Sequence, residues 1–385
     1  MKTITDLNDH TKYWFHKSML WMDNLWNEDM SLCWSPVNHD YNGKLPEHHT
    51  VRDSVWYATG LLIRQNDGDV ERAIRIIEAI MTYQFDEPSM VYHGTFYRAP
   101  EESHPPENPT VWQDYDPNWR EFICSVFIIM LKEFDELLPA VLQTKMQQSI
   151  QLAAEGAYMR KVDAEYTNIS LMSAFLLDYA GRKFNNREWQ AYALGQAQEI
   201  KRLFDRYNTY NEYNSPTYYG IDFYALALWR KYGATDEYQS MGAAMEAALW
   251  RDTAEFYHAG MKNICGAFDR SYGMDMTDYI AVVGLWIAAA LPAELAPLPD
   301  VDKPFNHSGD YFFVPMVALV DTMPPDDVIP YFTEFSGERT LERTIEPQRE
   351  VTAWLSDRLM LGAEADNLNP ARSDQFHPAT AHWLA

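Results

Sequence analysis

The sequence predicts a mainly α fold, an incomplete (α/α)5-6 toroid of helical hairpins followed by a small β-rich C-terminal module. Three observations carry this expectation. Ten stretches follow a helical period. They alternate between helices apolar nearly all round, which are buried, and helices apolar on one face, which lie outside them. Beyond about residue 295 the helical pattern gives way to proline-rich loops and extended runs enriched in threonine and aromatics. A toroid domain of residues 1–295 and a module of residues 296–385 packed on it follow from that break.

The helices are expected near 5–27, 50–65, 69–84, 117–134, 139–160, 166–181, 186–207, 215–232, 236–257 and 276–291. The even-numbered members carry the all-round apolar runs 55–58, 122–131, 169–177, 224–229 and 280–291. The odd-numbered members after the first keep a polar face, as in Glu71, Arg72, Arg75 and Glu78. Start signals agree with these bounds. Thr50 stands three residues before Asp53, Asp116 precedes Pro117, and Ser215 precedes Pro216, where a missing N–H costs nothing. No repeat of fixed length marks a solenoid. In the module, 310–314, 339–345 and 351–362 read as extended.

The formal charge is −25, from 31 Lys and Arg against 56 Asp and Glu. Such an acidic chain argues against nucleic acid or an anionic membrane as partner. A content of 47% hydrophobic residues, with 14% aromatic, supplies a large packed core and excludes a disordered chain. Cys33, Cys124 and Cys265 are far apart and lack metal-ligand spacing, which suits buried thiols in a reducing compartment. The N-terminus shows no basic stretch followed by an apolar one, and the longest apolar run, 280–291, is about half a membrane span. A cytoplasmic protein with no cofactor and no metal is expected, its oligomeric state left open.

Polar residues gather where the even helices begin. His48, His49, Arg52 and Asp53 stand at the second, with Trp56 one turn on. Asp116, Asn118, Trp119, Arg120 and Glu121 stand at the fourth, and Tyr166 and Asn168 at the sixth. The eighth starts in Asn211-Glu212-Tyr213-Asn214-Ser215-Pro216-Thr217-Tyr218-Tyr219-Gly220, and Asp269, Arg270 and Tyr272 precede the tenth. In a toroid these N-termini converge on one rim, where unpaired N–H groups and positive dipole ends favour an anion or a developing oxyanion. Each residue also has a plainer reading. Asp53 completes a capping box with Thr50, Asp116 and Asn168 cap their helices, and His93 is a structural loop histidine. His48 and His49 lack the helical partner that a metal site needs.

Five segments carry a resemblance. They are His49-x-x-Arg52-Asp53-Ser54-x-Trp56-Tyr57, His93-Gly94-x-Phe96, Tyr166-Thr167-Asn168-Ile169, Glu212-Tyr213-Asn214-Ser215-Pro216-Thr217-Tyr218 and Gln375-Phe376-His377-Pro378-Ala379-Thr380-x-His382-Trp383. With the alternating helices and trailing β module, the chain resembles the toroidal carbohydrate-active enzymes. These are the heparinase- and alginate-lyase-like polysaccharide lyases and the unsaturated glucuronyl hydrolases, and an uncharacterised bacterial and fungal group shares the segments. The resemblance is one of residue types, since the lyases' own signatures are absent. It implies an Asn or Gln to neutralise a uronate, a His or Tyr base and a Tyr acid.

The expectation is therefore a lyase or glycoside hydrolase acting on a uronate-containing oligosaccharide. In the lyase version Asn214 and Asn168 hold the carboxylate, His93 takes the neighbouring proton and Tyr218 protonates the departing oxygen. In the hydrolase version Asp53 and Glu212 form the acid/base pair. His49, Arg52, Trp56, Asn118, Trp119, Tyr166, Asn168, Tyr219 and Arg270 would bind the substrate. Two alternatives use the same residues: a cyclase, dehydratase or isomerase for a terpenoid-like metabolite, and a non-catalytic sugar-binding protein.

Overall fold

Helices alternate in burial along the chain as the apolar pattern requires. The computed structural model describes residues 1–37, 45, 47–365 and 375–384. Among these, α2 (Val51–Arg64), α4 (Trp119–Glu133), α6 (Thr167–Lys183), α8 (Tyr218–Tyr232) and α10 (Val282–Ala290) are buried on nearly every face. Between them, α3 (Asp69–Met81), α5 (Ala140–Arg160), α7 (Arg187–Tyr207) and α9 (Asp236–Phe256) each leave a polar face in solvent. The first helix, α1 (Asp9–Asp23), is shorter than its apolar pattern. Asn8 caps it by accepting the Thr11 N–H at 2.8 Å, and Trp26–Asn27 leaves it as strand β1.

The chain folds into two compact units, each assembled from separated segments. The first comprises Met1–Asp163, Met172–Ala197 and Tyr311–Leu319. Within it α2 packs on α1, α3 and α4, and α5 packs on α3 and α4. Strand β1 pairs with β2 (Leu32–Trp34), which pairs with β3 (His49–Thr50), and β3 feeds directly into α2. Trp56 at the centre meets Phe122 and Phe313 edge-on.

The second unit comprises Ala164–Leu171, Gln198–Asp310 and Val320–Ala385. In it α8 packs on α9 and α10, and the hairpin of β4 (Tyr257–His258) and β5 (Asn263–Ile264) follows α9. The short α12 (Ile329–Thr333) covers α9 and β4. Four antiparallel strands then run in order, β6 (Arg339–Glu346), β7 (Arg349–Ser356), β8 (Leu359–Ala365) and β9 (Ala379–Trp383). The extended stretch expected at 351–362 is thus a hairpin of two strands that turns at Asp357 and Arg358.

One expectation fails outright. Residues 310–314 are helical, not extended: a 3-10 turn over Ser308–Phe313 runs into α11 (Val314–Val320). Every residue from 311 to 320 is buried, and a short continuous apolar run reads the same whether it forms a buried helix or a strand. Pro315 lies in the first turn, where proline is tolerated. Helix α10 also begins later than its apolar run, since Tyr279 bridges to Asn306 before the helix can start. No helix among the described residues is long and apolar enough to cross a membrane. The three cysteines are free and buried.

Helices α8 and α10 approach closely at Gly220. A Cβ there would lie 2.4 Å from the Val282 carbonyl carbon and 2.5 Å from the Val283 nitrogen, both backbone atoms that cannot swing aside. The same contact carries two hydrogen bonds, Trp286 Nε1 to Gly220 O at 2.8 Å and Val283 N to Pro216 O at 2.9 Å. Gly220→Ala is therefore expected to destabilise the protein by about 1–3 kcal/mol through forced separation of the two helices. Thermal unfolding monitored by circular dichroism measures it.

Candidate functional site

The stretch that opens α8 makes the densest polar cluster of the second unit. Ser215 caps the helix, its hydroxyl oxygen accepting the Tyr218 N–H at 3.0 Å while its carbonyl accepts the Tyr219 N–H at 3.0 Å. Regular helix is assigned only from Tyr218, three residues after that cap. The Ser215 hydroxyl also donates to the Arg270 carbonyl at 2.5 Å, so the cap ties the helix start to the segment that carries Arg270.

Arg270 is the hub. Its Nη1 donates to Glu212 Oε1, its Nη2 to the Tyr218 hydroxyl at 2.6 Å, and its Nε to Gln375 Oε1 at 3.2 Å. The guanidinium also lies 3.9 Å over the Tyr218 ring. Asn168 Nδ2 donates to the other Glu212 oxygen at 2.5 Å. The Tyr218 and Tyr272 hydroxyls are 2.8 Å apart, and Tyr272 stacks on His307 at 4.3 Å.

Electrostatics separate the two functional groups at Arg270. Burial works against the Arg270 charge, but Tyr218, Glu212 and Tyr166 outweigh it and hold the guanidinium above the usual arginine range. Burial, reinforced by Tyr272 and Glu212 and opposed by Arg270, pushes the Tyr218 phenol well above the usual tyrosine range. Tyr218 thus keeps its phenolic proton beside a fixed cation. Below it on α8 lies Asp222, fully buried, with neither carboxylate oxygen hydrogen-bonded among the described residues. Burial and then Glu212 raise its pKa well above the carboxylate range, which keeps it neutral.

The segment bearing Arg270 is clamped by the β-sheet. Arg349 at the start of β7 donates to both Asp269 oxygens at 2.7 Å and to Glu364 Oε1 on β8 at 2.7 Å. Phe268 pairs with His377, and the Ser271 N–H donates to the Gln375 carbonyl at 2.9 Å. Tyr272 and Gln375, absent from the expected site, carried a signal, since both stand in segments already notable for polar residues. Arg349 and Glu364 carried none, because charged residues on short strands read as solvent-facing.

Two other residues of the α8 segment serve the scaffold. Asn214, with a left-handed φ of 50°, donates its amide to the Cys265 and Ala267 carbonyls at 2.7 and 2.9 Å. Those amide donors are committed to backbone carbonyls. Tyr219 points to Thr209 at 3.0 Å and to Asp252 at 3.5 Å, and is buried.

The remaining expected residues lie in the first unit. Thr50 caps α2 by accepting the Asp53 N–H at 3.3 Å, while the Asp53 carboxylate turns to Arg52 Nε at 2.8 Å. The Arg52 guanidinium sits within 4.8 to 5.3 Å of the ring centres of Trp56, Trp119 and Phe122. His49 stacks on Trp34 at 3.8 Å and bonds Glu101 at 2.6 Å. Asn118 accepts from Arg160 at 2.7 Å and donates its N–H to Asp116 at 2.8 Å. His93 is fully engaged: Nδ1 accepts the Glu87 N–H at 3.1 Å, so the proton sits on Nε2, 3.2 Å from Glu155. No ring lone pair is left to take a proton from a substrate, and the geometry gives His93 a loop-fixing part instead of the basic one.

A family model described as a domain of unknown function (DUF8769) matches residues 12–322. No curated protein matches the chain.

Glu121, buried at the start of α4, makes the first unit sensitive to pH. Burial pushes its carboxyl up to about 7, against the opposing charges of Arg120 and Arg160 and with a small contribution from Asp116. The folded protein holds this proton to about pH 7 while the unfolded chain loses it near the ordinary glutamate value. The resulting stability is complete below the unfolded value and is lost as pH rises through the folded one. Glu121→Gln is expected to leave the thermal midpoint unchanged below about pH 4.5 and to stabilise the protein progressively above it, by about 3 kcal/mol above neutrality. Paired melts of wild type and variant across that range measure the difference.

Proposed function

The chain belongs to the DUF8769 family, and we propose that it is a carbohydrate-active enzyme, a lyase that cleaves a uronate-containing oligosaccharide by β-elimination. The observation that carries the reading is the Arg270 hub, where a fixed cation, a carboxylate and a phenol with a strongly raised pKa share hydrogen bonds. A toroidal arrangement of the helical hairpins belongs to the same proposal, and the alternation of buried and half-exposed helices supports it.

In this proposal the substrate carboxylate takes the place of Glu212 on Arg270, and neutralising that carboxylate lowers the cost of a carbanion alpha to it. The released Glu212, still bonded by Asn168, accepts the proton alpha to the carboxylate. The electron pair of that C–H bond forms the new carbon–carbon double bond, and the β carbon–oxygen bond breaks. Tyr218 gives its proton to the departing oxygen, which leaves with it; Arg270 steadies the phenolate until solvent reprotonates it through Tyr272, and Glu212 passes the abstracted proton to solvent. Within the Arg270 hub the buried Glu212 is joined by phenols and an amide instead of a paired carboxylate, and this favours elimination over the paired-carboxylate chemistry of hydrolysis. Asp53 and the Arg52 cluster stand outside this chemistry.

Incubating the full chain with a panel of uronate-containing oligosaccharides, and following the ultraviolet absorbance of the unsaturated uronate formed, tests the reading. Tyr218→Phe is expected to lower kcat by about 10²–10⁴-fold with little change in KM. Full activity in Tyr218→Phe, or no absorbance change with any member of the panel, would sink it.

A further inference from the structure

A recess of the same unit lies one residue along the chain from the Arg270 hub. It has a volume of about 300 Å³ and is walled by the turn before α6, the last turns of α7, the loop 209–211 and the turn between β6 and β7. Thr167 and Asn211 line it, and the residues that follow them, Asn168 and Glu212, are hydrogen-bonded to each other in the hub. Two chain segments therefore serve both places at once.

The chemistry of the walls differs from that of the hub. Arg206 and Asn211 line the recess and make no side-chain hydrogen bond or salt bridge with any described residue. Glu346 is held by Arg349 at 3.2 Å, and Glu165 and Tyr207 also line the recess. One cation against two carboxylates leaves the walls with a negative formal balance, which disfavours a second anionic group. An unoccupied guanidinium fork, a free amide and carboxylate acceptors beside an aromatic face suit a ring of hydroxyls, each of which both donates and accepts.

We infer that this recess is a subsite for a neutral sugar ring, so that the oligosaccharide joins a neutral sugar to the uronate held at Arg270. The inference rests on the proposed lyase reading and narrows its substrate class. Arg206 also lies near the C-terminus of α7, where any cation helps the helix dipole. Arg206→Lys separates the two parts, because it keeps the charge and loses the planar fork.

The test is calorimetric titration of the full chain with glucuronate and with a disaccharide of glucuronate linked to a neutral hexose. The disaccharide is expected to bind at least about 10-fold more tightly than the monosaccharide. Arg206→Lys and Asn211→Ala should erase most of that gain, leave glucuronate affinity unchanged and keep the wild-type thermal midpoint. Equal affinity for the two ligands, or a gain that survives both substitutions, overturns the subsite while leaving the lyase reading in place. Failure of both ligands to bind overturns the lyase reading and the subsite with it.

Discussion

The geometry of the candidate site depends on one buried ionic cluster, Arg349 between Asp269 and Glu364. All three side chains are nearly withdrawn from solvent, and Arg349 reaches both carboxylates at 2.7 Å. Removing charges from water is costly, and only multiple short hydrogen bonds offset that cost. The cluster is therefore a constraint more than a source of stability. Loss of the arginine would remove the cation that two buried carboxylates share, so the loop at 269–272 and the sheet are held in one arrangement. Arg270, next in the chain to Asp269, is aimed by that arrangement.

Around this clamp, acidic side chains are sorted by environment despite a chain charge of −25. Glu212 has Arg270 and Asn168, whereas Asp222 is buried with no hydrogen-bond partner among the described residues, and burial pushes its pKa well up. Asp252 is raised as well: burial pushes it up to about 6, with Arg343 and Tyr219 opposing. Buried carboxylates with raised pKa values occur both at sites of acid–base chemistry and in structural ionic networks. Tyr218 differs from these groups in touching both the cation and a partly exposed phenol, Tyr272.

Much of the fold was legible because helical burial is written locally. Residues 122–131, with Ser125 the one polar member, and 224–229 are apolar nearly all round the helix, which leaves no polar face, and the helices they form are buried. The segment 311–320 was misread for a related reason, since a run without periodicity does not distinguish a buried helix from a buried strand. The importance of 211–220 was also legible, because Ser215 and Pro216 alone would have capped the helix and the surplus polar groups required another use. Which of those groups face the hub was not legible. Asn214 and Tyr219 look as suitable as Glu212 and Tyr218 on paper, yet their hydrogen bonds go to the Cys265 and Ala267 carbonyls and to Thr209.

The sequence by itself determined where helices form, which of them are buried, and which helix starts are rich in polar side chains. Periodicity and capping act within a few residues, so a linear reading captures them. Only the tertiary structure decided that Glu212 meets an arginine 58 residues away, and that Asp269 meets an arginine 80 residues away. It also decided that both nitrogens of His93 are engaged. Such partners are chosen by long-range packing, and a side chain's chemistry depends on the partner it is given as much as on its own identity.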